Sequence, residues 1–330
     1  MKNSIFLAAL VVASCFATLV NGQNNNVSIG NAVPANQQVS IDNINHDLFN
    51  QLLKFYVNDK GQVNYKGWKE SQKANQALDS YLTTLASANP DLAANRANKL
   101  AFWCNAYNAL TIKGILREYP TTSIRNHTSE TGGYNLWKNL FMPVGSGHFS
   151  LDQIEHQILR KMGEPRVHFA IVCASHSCPR LLNEAYVGKT LEAQLTTNTR
   201  NFFANPENFQ YDAAQRAFRL SEIIKWFGTD FGRDQAAQLQ YLAPYLPTRE
   251  AQAAAQQNAV SVSHLEYSWA LNEQKPMMKQ GSGTTTGSAT KQGSATKQGS
   301  ATKQGSAMKE AASGAKEAAS GMKKAASGTK

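Results

Sequence analysis

Residues 166–179 have the sequence RVHFAIVCASHSCP, in which a short apolar run leads directly into a polar turn with two cysteines. The run 166–172 follows Pro165 and is bounded by turn residues, which predicts a strand. Polar turns that follow strand ends present side chains to a cleft. The sequence therefore predicts a functional site at this turn, with Cys173 at its start.

A thiol in such a turn becomes a nucleophile when a nearby base or a positive dipole lowers its pKa. The candidate bases are His148, His156, His168, His176 and His264. His156 lies on a predicted helix before the strand. His168 lies within the strand, five residues before Cys173, and a regular strand points two such side chains to opposite faces. We therefore take His156 and His168 as alternative bases for Cys173.

Three other interpretations of the same segment stay open. Cys173 and Cys178 could form a small-loop disulfide in an exported protein. Together with His168 and His176 they could bind zinc, but the second paired half of known structural zinc sites is missing. His168 could also be a hydrogen-bonded core residue. We expect no metal and no cofactor.

A second motif, FWCNAYNAL at 102–110, places Asn105 and Asn108 three residues apart on a predicted helix, so that both can face one neighbour. A buried amide is costly unless it finds hydrogen-bonding partners. The two amides could bridge to a strand, or Asn105 could orient a catalytic imidazole. Cys104 is expected to pack as a small buried side chain.

Four segments follow from the composition along the chain. Residues 1–22 have a lysine followed by an almost wholly apolar run, which predicts a signal peptide and a secreted or secretory-lumen protein. A flexible polar lead is predicted over 23–44, and a single domain over 45–272. Residues 273–330 repeat KQGSA and then KEAASG, which predicts a low-complexity flexible tail.

Periodicity and capping signals predict a helix-rich α+β domain with a small, mostly antiparallel sheet. The predicted helices are 46–57, 65–88, 93–118, 150–161, 190–204 and 234–246. The predicted strands are 166–172, a hairpin of 208–211 with 217–220, and part of 260–269. The Gly-containing stretch 121–148 is predicted to be a long loop.

The formal charge of +10 belongs mainly to the tail. Residues 275–330 hold ten Lys and two Glu, whereas 3–274 hold 22 basic and 21 acidic residues. A nearly neutral domain does not favour sequence-specific nucleic-acid binding, although scattered tail lysines can contact polyanions. Beyond the signal peptide no stretch is long and apolar enough for a membrane span.

Five ordered motifs resemble the family known as domain of unknown function 547. They are AFWCNAYNALTIKGIL (101–116), FSLDQIEHQILR (149–160), RVHFAIVCASHSCPRLLNEAY (166–186), LSEIIKWFGTDF (220–231) and LEYSWALN (265–272). The resemblance covers about 95–272 and implies a fold that has been likened to papain-like thiol hydrolases. It also suggests which residues form the polar centre: Asn105, Asn108, His156, His168 and Cys173.

These observations lead to the hypothesis of a secreted thiol hydrolase or transferase that acts on amide or isopeptide-like bonds. Cys173 would attack, His156 or His168 would take its proton, and Asn105 would orient the imidazole. Backbone amides after Cys173 would hold the oxyanion. The alternative is a non-enzymatic binding module that holds a peptide or small thiol in the same cleft. In either case the expected partner is a peptide or small-molecule ligand.

Overall fold

The computed structural model describes residues 25–129 and 134–275. The predicted signal peptide and nearly all of the predicted repeat tail lie outside these ranges, so both stay predictions. Within the described part of the chain, no helix has the length and apolar character needed to cross a membrane.

The structure is about 51% helical with 15% strand, which confirms the predicted helix-rich α+β single domain. The α-helices are α1 (Asp47–Tyr56), α2 (Tyr65–Glu70), α3 (Gln72–Ala86), α4 (Arg96–Glu118), α5 (Leu136–Asn139), α6 (Leu151–Gln153), α7 (Leu191–Ala204), α8 (Glu222–Trp226), α9 (Gly228–Phe231), α10 (Gln235–Leu242) and α11 (Arg249–Gln256). A π-helical stretch, Ile154–Leu159, continues α6. The 3-10 segments are Ala35–Gln37, Ile41–Asn43, Ile124–His127, Arg160–Met162, Pro165–Phe169 and Ala243–Tyr245.

Eight short strands form three small sheets in the described residues, of which two are mixed and one is parallel. The strands are β1 (Val27–Ser28), β2 (Val39–Ser40), β3 (Ala88–Asn89), β4 (Leu140–Val144), β5 (Gly147–Ser150), β6 (Phe209–Asp212), β7 (Ala217–Ser221) and β8 (Ser261–Leu265). The β4–β5 and β6–β7 pairs are antiparallel, and the β1–β4, β2–β3 and β7–β8 pairs are parallel. The β6–β7 pair is the predicted hairpin.

Helix α4 is the central element of the domain. The Asn95 side chain caps its first turn by accepting a hydrogen bond from the Ala97 N–H. The helix ends before Tyr119-Pro120, as the residue before proline disfavours helix. Most residues between Leu100 and Leu116 are buried, so α4 packs on several sides instead of presenting one apolar stripe.

The apolar residues form two clusters, and the segment 165–172 connects them. One cluster surrounds α4 and includes Ile171 and Val172. The other is built from α7, the last sheet and the C-terminal helices, and it includes Phe169. The segment therefore lies between two cores, and neither of its sides faces solvent freely.

The strand predicted over 166–172 is wrong. Pro165–Phe169 forms a 3-10 helix, and the backbone then runs irregularly to Cys173. The Asn108 side chain accepts a hydrogen bond from the Val172 N–H (2.9 Å) and donates to the Ala170 carbonyl (3.0 Å). The Asn198 amide donates to the Phe169 carbonyl (2.5 Å). The side-chain amides thus form the hydrogen bonds with buried backbone groups that a neighbouring strand would form in a sheet.

Two other expectations need correction. The lead over 23–44 is not loose across its described part, because β1 pairs with β4, β2 pairs with β3, and Ile29 and Ile41 are buried. The stretch predicted as a loop over 121–148 contains α5 and β4. The strands in both regions are short. The alternation of apolar and polar residues that identifies a strand in a sequence needs a longer run to be recognised.

The two hydrogen bonds of the Asn108 side chain to the backbone of Ala170 and Val172, called the Asn108 clamp below, yield the first prediction. Replacement of Asn108 by Ala leaves the Val172 N–H and the Ala170 carbonyl without partners in a buried place. Each of these two groups costs about 1–3 kcal/mol, so we expect the free energy of unfolding to fall by about 2–6 kcal/mol in urea denaturation.

Asn201→Ala is the matched control, since Asn201 is exposed on α7, one turn from Asn198. It should change the free energy of unfolding only slightly. An equal loss in both variants would show that the clamp does not stabilise the fold.

Candidate functional site

A cleft of about 770 Å³ opens at the turn that follows the clamped segment. Both cysteines of the turn line it, together with the two histidines singled out from the sequence. Its other polar and aromatic walls include Tyr107, Asp152, Glu155, Trp226, Phe227, Tyr267 and Trp269. The structure therefore brings Cys173, His156 and His168 to one cavity.

The turn from Cys173 to Cys178 is fixed by the chain segment 268–272. The Asn272 N–H donates to the Ala174 carbonyl (3.0 Å), and the His176 N–H donates to the Ala270 carbonyl (2.6 Å). Ala174 has φ of 62°, a left-handed conformation that non-glycine residues rarely adopt. Such backbone strain persists only where the surroundings impose it, and it is frequent at functional sites.

The sulfurs of Cys173 and Cys178 lie 2.7 Å apart, and both cysteines are free. The Cys178 sulfur also accepts hydrogen bonds from the Cys173 backbone N–H and from the Ser175 hydroxyl, each at 3.2 Å. The Tyr267 hydroxyl lies 3.2 Å from the Cys178 sulfur and 2.6 Å from the Ser175 hydroxyl. Donors thus surround the Cys178 sulfur on several sides.

This environment shifts the pKa values of the two thiols in opposite directions. The hydrogen bond to Cys178 and burial raise the pKa of Cys173 well above its usual value. Burial also raises the pKa of Cys178, but hydrogen bonds from Cys173, Ser175 and Tyr267 together lower it below its usual value. Burial keeps the pKa of Tyr267 well above its usual value, so its hydroxyl keeps its proton at neutral pH. One proton is therefore shared by the pair, with the negative charge favoured on Cys178.

His168 is held away from the sulfurs by its own partners. Its side chain is 1% exposed, its Nε2 lies 2.8 Å from the Asp230 carboxylate, and its ring stacks on Phe227 at 4.0 Å. Burial lowers the pKa of His168 to about 4, although the hydrogen bond to Asp230 acts in the opposite direction. Arg160 binds Asp230 through two nitrogens and thereby fixes the carboxylate. The neutral ring of His168 is a packed, hydrogen-bonded wall of the cleft.

His156 lies at the open side of the cleft, with its side chain 41% exposed. Its Nδ1 is 3.2 Å from Arg160 and its Nε2 is 3.9 Å from Asp152. Across the described residues, no hydrogen bond joins a histidine ring to the Cys173 sulfur. His156 lines the cleft, but a direct thiol–imidazole pair is not formed in this structure.

Asn105 does not orient an imidazole in this structure. Its amide donates to the Tyr186 carbonyl (2.7 Å), and its carbonyl accepts from the Tyr186 N–H (2.9 Å). Asn105 and Asn108 therefore both bind buried backbone groups, but at two different places, and neither place is a strand, so the expected bridge from both amides to one strand is not formed.

Glu155 is a site residue that the sequence reasoning missed. Its carboxylate accepts a hydrogen bond from the Tyr107 hydroxyl (3.1 Å) and faces the cleft. Burial raises the pKa of Glu155, so this carboxyl group favours its protonated form more than an exposed glutamate does. The available signal was its position beside His156 on the helix that precedes the turn.

Aromatic side chains form one wall of the cleft. The ring of Trp269 lies 4.6 Å from that of Tyr267 and 5.8 Å from that of Trp226, and Arg125 lies over Trp269 at 5.3 Å. Trp226 is 45% exposed. An exposed aromatic wall beside reactive groups is suited to hold the apolar part of a ligand.

A zinc site is a poor description of this turn. No group of three or more His, Cys, Asp or Glu side chains is arranged to hold a metal ion in residues 25–129 and 134–275. His168 is engaged by Asp230, and the His176 Nε2 lies 3.2 Å from Glu207. The two histidines thus have other partners than the sulfurs.

Comparison with known families gives one match. A family model described as "Protein of unknown function, DUF547" matches residues 92–203. The match supports the DUF547 family. Neither the search of curated proteins nor that of solved structures found a match to the chain.

The segment that matches the family model contains only part of the cleft. It includes Glu155, His156, His168 and both cysteines of the turn, whereas Tyr267 and the two tryptophans of the wall, Trp226 and Trp269, lie beyond residue 203. The thiol pair therefore belongs to the matched segment, and one of its hydroxyl donors comes from outside it.

The hydroxyl of Tyr267 yields the second prediction. The alkylation rate of the cysteine pair should rise with pH around a midpoint below about 8.5, the value of an ordinary thiol. Tyr267→Phe removes a donor to the Cys178 sulfur and should shift this midpoint upward. Iodoacetamide labelling, followed by mass spectrometry of the tryptic peptide 167–180, measures both cysteines without Cys104.

Tyr211→Phe provides the control, because Tyr211 lies on the β6–β7 hairpin, where its ring contacts Phe218. Its midpoint should equal that of the unaltered protein. If Tyr267→Phe also leaves the midpoint unchanged, the hydroxyl does not stabilise the thiolate.

Proposed function

We propose that the protein is a thiol-dependent hydrolase or transferase that acts on amide or related acyl bonds of a peptide or small molecule. The observation that carries the proposal is the Cys173–Cys178 pair, 2.7 Å apart, in a cleft that also contains Glu155 and His156. The likeness to papain-like thiol hydrolases, which the sequence resemblance implies, is part of the same proposal.

Cys173 is the nucleophile of this mechanism. It is partly exposed, whereas Cys178 is buried. Its thiol proton is already shared with a neighbour whose conjugate base is stabilised by hydrogen bonds. Attack of the Cys173 sulfur on a carbonyl carbon is therefore accompanied by proton transfer to the Cys178 sulfur, which occupies the place that an imidazole has in other thiol enzymes.

The backbone next to the nucleophile supports the developing oxyanion. Ala174 directly follows the nucleophile, and among the described residues its N–H group donates to no backbone acceptor. The left-handed conformation of Ala174 is imposed by the contacts of the turn with 268–272. A preorganised donor of this kind stabilises the tetrahedral intermediate because it needs no reorientation during the reaction.

The leaving group needs a proton, and two cleft residues can supply one. Burial raises the pKa of Glu155, which makes its carboxyl group a better proton donor to a leaving group than an exposed glutamate, and His156 lies at the open side of the cleft. After the amine or alcohol leaves, the acyl group is a thioester on Cys173. Water then yields a hydrolase, whereas another nucleophile in the same cleft yields a transferase.

The third prediction tests acyl transfer with p-nitrophenyl acetate as the probe. The full chain, reduced beforehand, should release a burst of p-nitrophenol that approaches one equivalent and should acquire one acetyl group on Cys173. Cys173→Ser should abolish the burst, because the alcohol is a far weaker nucleophile than the thiol. Stopped-flow absorbance traces and mass spectrometry of peptide 167–180 measure the two effects.

Cys178→Ser tests the proton acceptor separately. It should retain acetylation of Cys173 but slow the burst by at least about tenfold at neutral pH, since the base is lost. His176→Gln, which alters an exposed residue of the turn paired with Glu207, is the control and should react like the unaltered protein. A burst that survives in Cys173→Ser would refute the proposed nucleophile.

The exposed aromatic wall favours a second candidate, a binding module without catalysis. In that case the protein would bind peptides through Trp226 and Trp269 and show no acetylation burst. Quenching of tryptophan fluorescence by added peptides, in a protein that fails the burst assay, would favour this alternative.

A further inference from the structure

We propose that Cys173 and Cys178 also form a dithiol–disulfide couple that exchanges with disulfides of low molecular weight. This activity differs from acyl transfer, which uses only the reduced pair. The geometry of the two sulfurs and of their donors carries the proposal.

The first argument is distance. A disulfide joins sulfurs at about 2.05 Å, and the two free sulfurs already lie 2.7 Å apart. The turn between them is tied to 268–272 by three backbone hydrogen bonds, from the N–H groups of His176, Ser177 and Asn272. The fold therefore holds two thiols together at a separation that needs only a small shift to close.

The second argument is the chemistry of the contacts. Sulfur and hydroxyl groups surround the Cys178 sulfur, and across the described residues no histidine bonds to either sulfur. Because these donors stabilise the Cys178 thiolate, Cys178 can accept the Cys173 proton during the attack on an external disulfide and can then act as the resolving thiolate. A structural cysteine pair in a dry core would lack these donors and this access to a cleft.

The third argument is that cavities border the cysteine pair. Cys173 and Cys178 both line the main cleft. Cys178 also lines a second cavity of about 590 Å³, between Asp59 and Glu207. A small disulfide can thus reach both cysteines from the main cleft, and Cys178 also borders the second cavity.

The exchange proceeds in two balanced steps. The Cys173 sulfur attacks one sulfur of an external disulfide RSSR as its proton passes to Cys178. A bond forms between Cys173 and SR, the RS–SR bond breaks, and the leaving thiolate takes the proton from Cys178. The Cys178 thiolate then attacks the Cys173 sulfur, which forms the internal disulfide and expels the second thiolate to solvent. The external disulfide is reduced and the pair is oxidised.

The experiment uses oxidised and reduced glutathione as the probe. The full chain is equilibrated in buffers of defined glutathione ratio, quenched with acid, alkylated and digested with trypsin. Peptide 167–180 should change from doubly alkylated to internally linked as oxidised glutathione increases, and reduced glutathione should reverse the change. A peptide that stays doubly alkylated in excess oxidised glutathione would overturn the proposal.

Two variants identify the roles. Cys178→Ser should accumulate a mixed disulfide of glutathione on Cys173, because the resolving sulfur is missing. Cys173→Ser should react with oxidised glutathione at least about tenfold more slowly, because Cys178 is buried. The reverse pattern would assign the attack to Cys178 and overturn the order of steps given above.

His176→Gln is again the matched control and should exchange like the unaltered protein. The acetylation burst separates the two proposals. A burst without internal disulfide formation would refute the redox couple and leave acyl transfer standing. Disulfide exchange without a burst would refute acyl transfer and leave the redox couple standing.

Discussion

The hydrogen bonds between asparagine amides and the backbone of 169–172 are the interaction on which the site depends. Asn108 and Asn198 come from two different helices, and they hold an irregular segment between two apolar cores. Without them, the Val172 N–H and the carbonyls of Phe169 and Ala170 would lose these partners in a buried place. Because the segment is held in this way, its end can turn sharply and present Cys173 to a cleft.

The chemistry of the cleft follows from what the turn places around the sulfurs. A thiol usually ionises more easily when a positive charge lies nearby. Here neutral donors stabilise the thiolate instead, since a backbone N–H, the Ser175 hydroxyl and the Tyr267 hydroxyl all reach the Cys178 sulfur. Tyr267 lies 89 residues later in the chain than Cys178, so the thiol pair needs the C-terminal part of the domain to be complete.

Helices α1, α3, α4, α7 and α10 could be predicted from the sequence because their signals are local, whereas α5, α8, α9 and α11 were not predicted. The capping box of Ser150 and Gln153 was visible as a capped first turn, and α4 ends where Pro120 requires it. The conformation of the segment before Cys173 could not be predicted correctly. An apolar run indicates that a segment is buried, but it does not show which groups form hydrogen bonds with its backbone. Those partners are side-chain amides from distant positions. The same limit explains why a role for Asn105 beside an imidazole was expected, whereas its amide binds the backbone of Tyr186.

For the site residues, the location could be predicted from the sequence but the chemical role could not. Cys173, His156 and His168 could be gathered from sequence because they lie near one turn, and all three line one cleft. Their roles depend on partners that only the fold supplies. Asp230 and Phe227 hold His168 as a neutral wall residue, and the proton of Cys173 is shared with a second sulfur in place of a ring nitrogen. A sulfur acceptor has a consequence that an imidazole lacks, since it can form a covalent bond with its donor when an oxidant is present. The arrangement that prepares Cys173 for attack on a carbonyl is therefore the same arrangement that makes the pair sensitive to disulfides.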